Sequence, residues 1–399
     1  VGGTKVLIAG ASIAGPALAH WLRRRGAEVT VVERAPGLRP GGQAVDARGV
    51  TKDVIRLMGL DDAVRAARTE TAGAYTVDAD GNVLETFSAE DDGGDGYISE
   101  IEILRGDLSQ VLYDDTRDGV EYRFGDRIAG LVQDADGVDV TFAAGDRRRF
   151  DLVVGADGLH SSVRAMVFGP RERFVRHLGH VLAFYSVPNE FGLDRWVFDY
   201  QEPGRSAMLR PIGDATRAMA MFSFTAAEFA VDHRDVEAQK DLLRARMGDF
   251  GWLTPRILAH LGDTPDFYLD QVAQVVLDRW ADGRVGLIGD AAFSSSPLSG
   301  QGTGLALIGA YLLAGELAAA GWDPATGFAR YEARMRPFVE ANQEIGRLNA
   351  KMRSGSGPDV DLDGEWLTDL VQRALNGIEL PDYAGVPDAG PSVPSPATP

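Results

Sequence analysis

Three stretches of the chain bring together residue types that bind phosphate groups, sugar hydroxyls or a flat ring. The first is Gly10-Ala11-Ser12-Ile13-Ala14-Gly15, followed further on by Glu33 and Arg34. Gly10 permits a tight turn, the small Ser12 leaves room for a pyrophosphate, and Gly15 lets a helix pack closely on a strand. Glu33 follows at roughly the 20-residue spacing of a carboxylate that binds ribose hydroxyls. The second stretch is Asp157-Gly158, whose carboxylate suits either a ligand or an Asx turn feeding a helix. The third runs from Gly289-Asp290 through Ser294-Ser295-Ser296 and Pro297 to Gly300-Gln301-Gly302-Thr303-Gly304. Asp290 can accept hydrogen bonds from a polyol, and a loop so rich in Gly and Ser lets the backbone approach a flat ring. Backbone N–H groups and the helix dipole at Thr303 favour negative charge there. By itself this third stretch also reads as an ordinary connection with an Asp cap.

The surrounding elements must position these residues. Lys5 to Ala9 has the pattern of a buried strand, and Ala14, Ala17, Leu18, Trp21 and Leu22 fall at helical spacing. Residues 28–32 form a second strand, completing a βαβ opening. Buried-strand patterns recur before Asp157 and before Asp290. A short helix over 50–58 stops at Gly59, and another begins at Arg105. Strands at about 120–124, 127–132 and 137–143 predict an antiparallel excursion. Hairpin-spaced runs over 72–98 and at 181–187, 195–200, 205–210 and 217–224 predict a separate antiparallel lobe. There Trp196, Phe198 and Tyr200 share one strand face, and Met219 and Met221 share another. The aromatic face suits a substrate cavity and, equally, a core against helices at 234–247 and 255–261. Long helices are expected at 325–352 and 364–377.

The fold class is therefore α/β. A Rossmann-like, discontinuous cofactor domain is expected over 1–71, 98–170 and 265–324. An antiparallel-sheet substrate domain would cover 72–97 and 171–264, C-terminal helices 325–380, and a proline-rich disordered tail 381–399.

Of the 399 residues, 59 are acidic and 40 basic, a formal charge of −19 that argues against nucleic acid or an anionic membrane as partner. There is no cysteine, which excludes disulfides, thiolate nucleophiles and Cys-ligated zinc and fits a cytoplasmic setting. No metal site is expected. With no uninterrupted apolar run of about 18 residues and no charged-then-apolar leader, no membrane span or secretory signal is expected.

A nicotinamide enzyme needs only the first stretch. A second strand–Asp–loop–helix unit late in the chain suits a longer ligand, whose far half is a polyol chain and a flat heterocycle; FAD has that shape. The glycine turn with Glu33-Arg34, the Arg105 helix start, the run from Asp157 to Arg164 and the run from Gly289 to Gly302 together resemble the p-hydroxybenzoate hydroxylase-type FAD monooxygenases. The short tetracycline-inactivating members are included in that likeness, which covers about residues 4–350. The resemblance implies that Glu33 holds the adenosine ribose, Arg34 lies against adenine, and Arg105 meets the pyrophosphate and ribityl chain. It further implies that Asp290 binds the ribityl and pyrophosphate region, that the 297–304 backbone meets the ring, and that Arg48 lies near flavin and substrate. Three positions depart from the common pattern: Phe293 stands for a frequent His, Gly304 for Asn and Gly309 for Asp.

The expected activity is hydroxylation of a small aromatic or polyketide-like substrate through a flavin hydroperoxide, with NADPH or NADH as transient reductant and dioxygen as co-substrate, in secondary metabolism. Baeyer–Villiger or epoxidising chemistry and a non-catalytic FAD-binding protein are the alternatives; a flavin halogenase is disfavoured because no Trp-x-Trp-x-x-Ile run is present. The expected form is a monomer or homodimer. Besides Arg48, the residues singled out to orient or deprotonate a substrate are His180, Tyr185 and Arg210, in the second lobe; His177 is a further polar candidate.

Overall fold

The computed structural model describes residues 3–90, 94–96, 98–213, 216–228, 232, 235–264, 266–355 and 364–385. A six-stranded sheet has the strand Lys5–Ala9 near its centre, parallel to Glu28–Glu33 on one side and Leu152–Gly155 on the other. Glu121–Phe124 and Val285–Leu287 extend it in parallel, and the short antiparallel Ala281–Asp282 closes one edge. Parallel strands covered on both faces read as unbroken apolar runs. Val6, Leu7, Ile8, Val153, Val154 and Leu287 are accordingly all buried.

The predicted excursion needs one correction. Its first strand, Glu121–Phe124, joins the parallel sheet beside Glu28–Glu33, and the antiparallel trio is Ile128–Gln133, Val138–Phe142 and Arg147–Phe150. The helix Arg105–Thr116 carries the chain back over the sheet before that strand, the crossover that parallel pairing requires.

The second sheet has seven strands, in the order Tyr268–Val275, Val175–Pro188, Arg217–Thr225, Arg205–Ile212, Trp196–Glu202, Gly73–Val77 and Val83–Ser88. One face packs on the helices Val236–Met247 and Thr254–Ala259 through Val181, Ala183, Tyr185, Leu209, Phe222, Leu243 and Met247. The aromatic face belongs here: Tyr200 packs at 4.7 Å on Phe250, and Trp196 stacks at 4.3 Å on Tyr75. Because side chains alternate along a strand, Met208, Met219 and Met221 lie on the opposite face.

The helix Gly302–Ala319 is apolar all round, so every side must be covered. By length and composition it could cross a membrane, with mean hydropathy 1.4, although no such helix was expected; 78% of it is buried, and it is the core helix of this fold. It packs against the helices Ala14–Arg24, Val50–Met58 and Pro324–Arg353. The helix Glu365–Asn376 docks on the last of these through Leu370 and Ala374. Contrary to the expectation of disorder from 381, Tyr383 is buried and donates a hydrogen bond to Glu316 at 2.9 Å. The rest of that expected tail, from 386, lies outside the described residues.

Close packing of the first helix on its strand leaves no room at Gly15, where an added Cβ would stand 1.9 Å from the Gly10 carbonyl oxygen. Gly15→Ala is expected to cost about 3 kcal/mol or more, read as a lowered midpoint in urea unfolding; an unchanged midpoint would contradict this packing.

Candidate active site

The first and third stretches meet at Gly289. A Cβ built there would lie 3.1 Å from the Ala14 Cβ and 3.9 Å from the Ala306 Cβ, so the opening turns of two helices converge on one glycine. Neither helix, Ala14–Arg24 nor Gly302–Ala319, has a side-chain cap at its N-terminus. First-turn N–H groups without such a cap are available to an external acceptor.

Gly10 is held in this arrangement by its φ of +111° and a hydrogen bond to Val32 at 2.8 Å. Glu33 fixes the turn from below, accepting from Ala11 N at 3.0 Å and from Ala35 N at 2.8 Å. Ser12 is half-buried beside it and Ile13 buried. Beyond Glu33 an open hollow of about 820 Å³ is lined by Arg34, Pro36, Leu38, Arg39 and Arg127. This hollow lies at the Glu33 end of the site, not against the 297–304 loop.

Asp290 opens the short helix Asp290–Phe293 directly after Gly289. Its side chain is reached by solvent, yet the surrounding protein raises its pKa by desolvation against the pull of Arg105, a Ser294 hydrogen bond and Arg164. Asp290 is thus exposed at the end of its strand and set among Arg105, Ser294 and Arg164. Arg105 is exposed and begins its helix where its N–H donates to Gln43 O at 3.0 Å.

The 294–301 loop is braced from behind. Gln274 Nε2 donates to Ser295 O at 3.0 Å, Asn349 Nδ2 to Leu298 O at 2.7 Å, and the Ser295 and Ser299 hydroxyls lie 2.7 Å apart. Its other side is open: Pro297, Gly300 and Gly302 are exposed, while Gln301, Thr303 and Gly304 are buried. The three departures are explained by packing. A Cβ on Gly304 would stand 2.5 Å from Thr51 Oγ1, so Thr51 fills the room an Asn would need. Phe293 is buried against Trp280 at 4.6 Å, and its ring lies 3.4 Å from a Cβ built on Gly309. Phe293 and Gly309 thus make an apolar contact with each other.

Asp157 takes the capping alternative. It accepts from the Ser161 hydroxyl, from Ser162 N at 2.7 Å and Ser162 Oγ at 2.9 Å, and from Val163 N at 3.2 Å, at the head of the helix Ser162–Phe168. Arg164, missed as a site residue, ties this segment to the Asp290 loop by donating to Ala291 O at 2.9 Å and Leu159 O at 2.7 Å.

The four substrate-side candidates separate. Tyr185 is buried on the helix-packed face and donates to Ile257 O at 3.0 Å, so it is a core residue. His180 is buried with Nε2 2.8 Å from Ala350 O and 3.0 Å from Ser354 Oγ, at the end of the long helix, and desolvation lowers its pKa. His177 is engaged with the His180 carbonyl at 3.1 Å. Arg210 and Arg48, by contrast, come together. Arg210 points from the open face of the seven-stranded sheet into a buried ion pair with Glu102, which also accepts from Thr69 Oγ1 at 2.5 Å and Thr71 Oγ1 at 2.7 Å. Glu102 stands directly across an antiparallel ribbon from Asp46, and Asp46 meets Arg48 at 2.9 Å. Burial pushes Glu102 up, but Arg210 and the two threonines outweigh it and hold it below its ordinary range. Desolvation, opposed by Arg48 and aided by Glu102, pushes Asp46 up to about 6. Asp46 and Glu102 carried no sequence motif; their pairing across the ribbon is visible only in the fold.

Along the open sheet face, cross-strand pairing lines up Tyr268, Phe184, Met221 and Met208, with Met219 beside Arg210. Phe184 stacks on Tyr268 at 4.7 Å. Tyr268 lies within the electrostatic reach of Arg105 and Asp290, and burial raises its pKa. A wall of Phe and Met therefore runs along this face from Tyr268 to the Arg48–Arg210 cluster.

A family model described as FAD binding domain matches residues 3–345. The chain is 48% identical over 379 residues to an uncharacterised protein of Mycobacterium tuberculosis, covering 95% of this chain and 99% of that one. It is 40% identical over 383 residues to a flavin-dependent monooxygenase of Legionella longbeachae, covering 95% and 98%. The crystal structure of tetracycline destructase Tet(51) is similar with a TM-score of 0.84 at 37% identity, covering 96% of this chain and 99% of that one.

Two predictions follow from the geometry. The folded chain holds the Asp46 proton more tightly than the unfolded chain, so this group favours the fold below about pH 4 and the benefit is lost as pH rises through about 6. Asp46→Asn should therefore raise stability by about 1–2 kcal/mol at pH 8 and leave it unchanged at pH 4, measured by thermal unfolding at both pH values. Tyr185→Phe should cost about 1 kcal/mol of stability without altering cofactor binding; loss of cofactor at unchanged stability would reverse that assignment.

Proposed function

Because the chain belongs to the FAD-binding-domain family of flavin-dependent monooxygenases, it is an FAD-dependent oxidoreductase, and we propose that it hydroxylates a small aromatic or polyketide-like compound at the cleft between Asp290 and the Phe–Met wall. Members of the family consume NADPH or NADH and dioxygen. The observation that carries the reading is the convergence of two uncapped helix starts on Gly289, with the accessible Asp290 just beyond.

The residues fit an elongated cofactor. The 10–15 turn, with Ser12 and the N–H groups at Ile13 to Gly15, receives the pyrophosphate. Glu33 has each carboxylate oxygen held by one backbone N–H, which leaves acceptor capacity for ribose hydroxyls; Arg34 and the hollow beside it receive adenine. Asp290 accepts from the ribityl hydroxyls, Arg105 balances its charge and the pyrophosphate's, and the backbone from Pro297 to Gly304 lies along the ring. Asp157 contributes by fixing its helix, not by contact.

When bound, FAD supplies hydride acceptance from NADPH or NADH and activation of dioxygen toward the substrate. The chain's own part is electrostatic and exclusionary. The positive end of the 302–319 helix favours negative charge near Thr303. Phe184, Met208, Met219 and Met221 keep water from the substrate side. Arg48 and Asp46 sit where a substrate hydroxyl would arrive and can hold its oxygen and its proton. The cysteine-free composition suits work in the reducing cytoplasm.

The purified protein should be yellow, and an electron-rich aromatic substrate should stimulate its NADPH oxidation with formation of an oxygenated product. Arg105→Ala and Asp290→Ala should each weaken FAD retention about tenfold or more, roughly 1.4 kcal/mol each, with the circular dichroism spectrum unchanged. Retention equal to wild type in both variants would refute the cleft as the cofactor site.

A further inference from the structure

At the far end of the Phe–Met wall the chain sets two arginines against two carboxylates. Arg48 meets Asp46 at 2.9 Å, and Arg210 is paired with Glu102 in a contact where both side chains are almost wholly buried. Asp46 and Glu102 are direct cross-strand neighbours, a placement of like charges that costs stability on its own and persists here because each carboxylate has its guanidinium. The nearby Lys52 is likewise engaged, by Asp95 at 2.9 Å. Arg48, Arg210 and Lys52 therefore each already have an acid of their own.

We infer that this internal neutrality selects the charge class of the substrate, with Glu102 and Asp46 as the specificity-determining residues. The site takes an uncharged, hydroxyl- or carbonyl-bearing aromatic and rejects one that carries a carboxylate. The inference rests on the reading of the cleft as the hydroxylation site. An incoming carboxylate loses its water against Met208 and Met221, and then finds guanidiniums already occupied and two carboxylates facing it. An unpaired buried charge is costly. A phenol or enol donates to Asp46, and a carbonyl or amide accepts from Arg48, without displacing either pair.

The same geometry predicts how the selection can be undone. Removing the charge of Glu102 takes from Arg210 its buried carboxylate, and removing that of Asp46 takes from Arg48 the carboxylate beside it. Acid does the second without mutation. The charged groups facing Asp46 are Arg48 on its own segment, Glu102 across the ribbon and Arg210 from the sheet. Once Asp46 takes up its proton, near pH 6, the cluster gains a net positive charge and an anionic ligand should bind better.

The test uses the FAD-loaded protein and an isosteric pair, a hydroxynaphthoate and its carboxamide, titrated against the visible band of the bound flavin. Wild type at pH 8 should bind the carboxamide at least tenfold more tightly. Glu102→Gln and, separately, Asp46→Asn should each raise carboxylate affinity at least tenfold, and the double variant Glu102→Gln/Arg210→Gln should lose the gain made by Glu102→Gln. The Asp46→Asn arm stands even where the Glu102 variant fails to fold, because that substitution is expected to stabilise the chain. A yellow protein that binds both ligands equally, prefers the carboxylate or binds neither overturns the charge argument alone. Variants that keep the wild-type ratio overturn it as well. A protein that takes up no FAD overturns instead the reading on which it rests.

Discussion

Everything in this molecule depends on how closely three backbone segments approach one another at Gly10, Gly15 and Gly289. A Cβ on Gly10 would stand 2.4 Å from Ala156 O, and one on Gly15 would all but coincide with the Gly10 carbonyl. At Gly289, with φ +62°, the chain from the 285–287 strand passes between Ala14 and Ala306. Hard-sphere contact of this kind has no compromise, since a side chain either fits or drives the segments apart. Because the contact is made by backbone, two helices without side-chain caps are brought to the same end of the parallel sheet. The glycines thus serve packing and binding through one geometric fact.

Much of this was legible in the sequence because it is local. The strand–glycine–helix order, the spacing to Glu33 and the position of Asp290 after an apolar strand are set by short-range chemistry, and the fold keeps them. What could not be read was set by partners distant in sequence. The 196–200 aromatics suited a cavity wall and a helix-packed core equally; only the packing of the 236–247 and 254–259 helices on that sheet face decided for the core. Tyr185 and His180 were polar residues on a strand until the fold placed one under Ile257 and the other at the end of the 324–353 helix. Asp157 had two local readings of equal weight, and the serines that follow it decided for the cap. Glu121–Phe124 looks like its antiparallel neighbours, because strand sequence carries little information about which edge it will pair.

The junction between the two large sheets was the least legible part, and it is the most unusual electrostatically. Two carboxylates opposed across a two-stranded ribbon would ordinarily be destabilising, yet Glu102 is answered by Arg210 from the seven-stranded sheet and Asp46 by Arg48 from its own segment. Glu102 keeps its charge because Arg210 and two threonine hydroxyls outweigh its burial, whereas Asp46, with Arg48 alone in contact, is pushed up. One of the pair is therefore fixed in charge and the other titratable. This asymmetry is the expected outcome when interacting acids share a site, and it assigns them different work. Glu102 anchors the ribbon to the sheet, and Asp46 is the member of the pair whose proton is held more tightly.

The helix Gly302–Ala319 ties the site to the stability of the whole chain. Having no polar face, it gains its place only when the 14–24, 50–58 and 324–353 helices surround it, and its N-terminus is where the 294–301 loop ends. The loop is in turn pinned to the 324–353 helix by Asn349, and through Gln274 and Gln343 to the strand beside it. A change that loosens this packing must therefore move the first-turn N–H groups, and a ligand held by those groups must resist the loosening. Binding and folding are linked in this way whenever a site is built from the ends of core elements, and the linkage acts in both directions. Substitutions deep in the 302–319 interface should thus be felt at the cleft, whereas substitutions on the exposed 83–88 edge, which contributes nothing to that helix, should not.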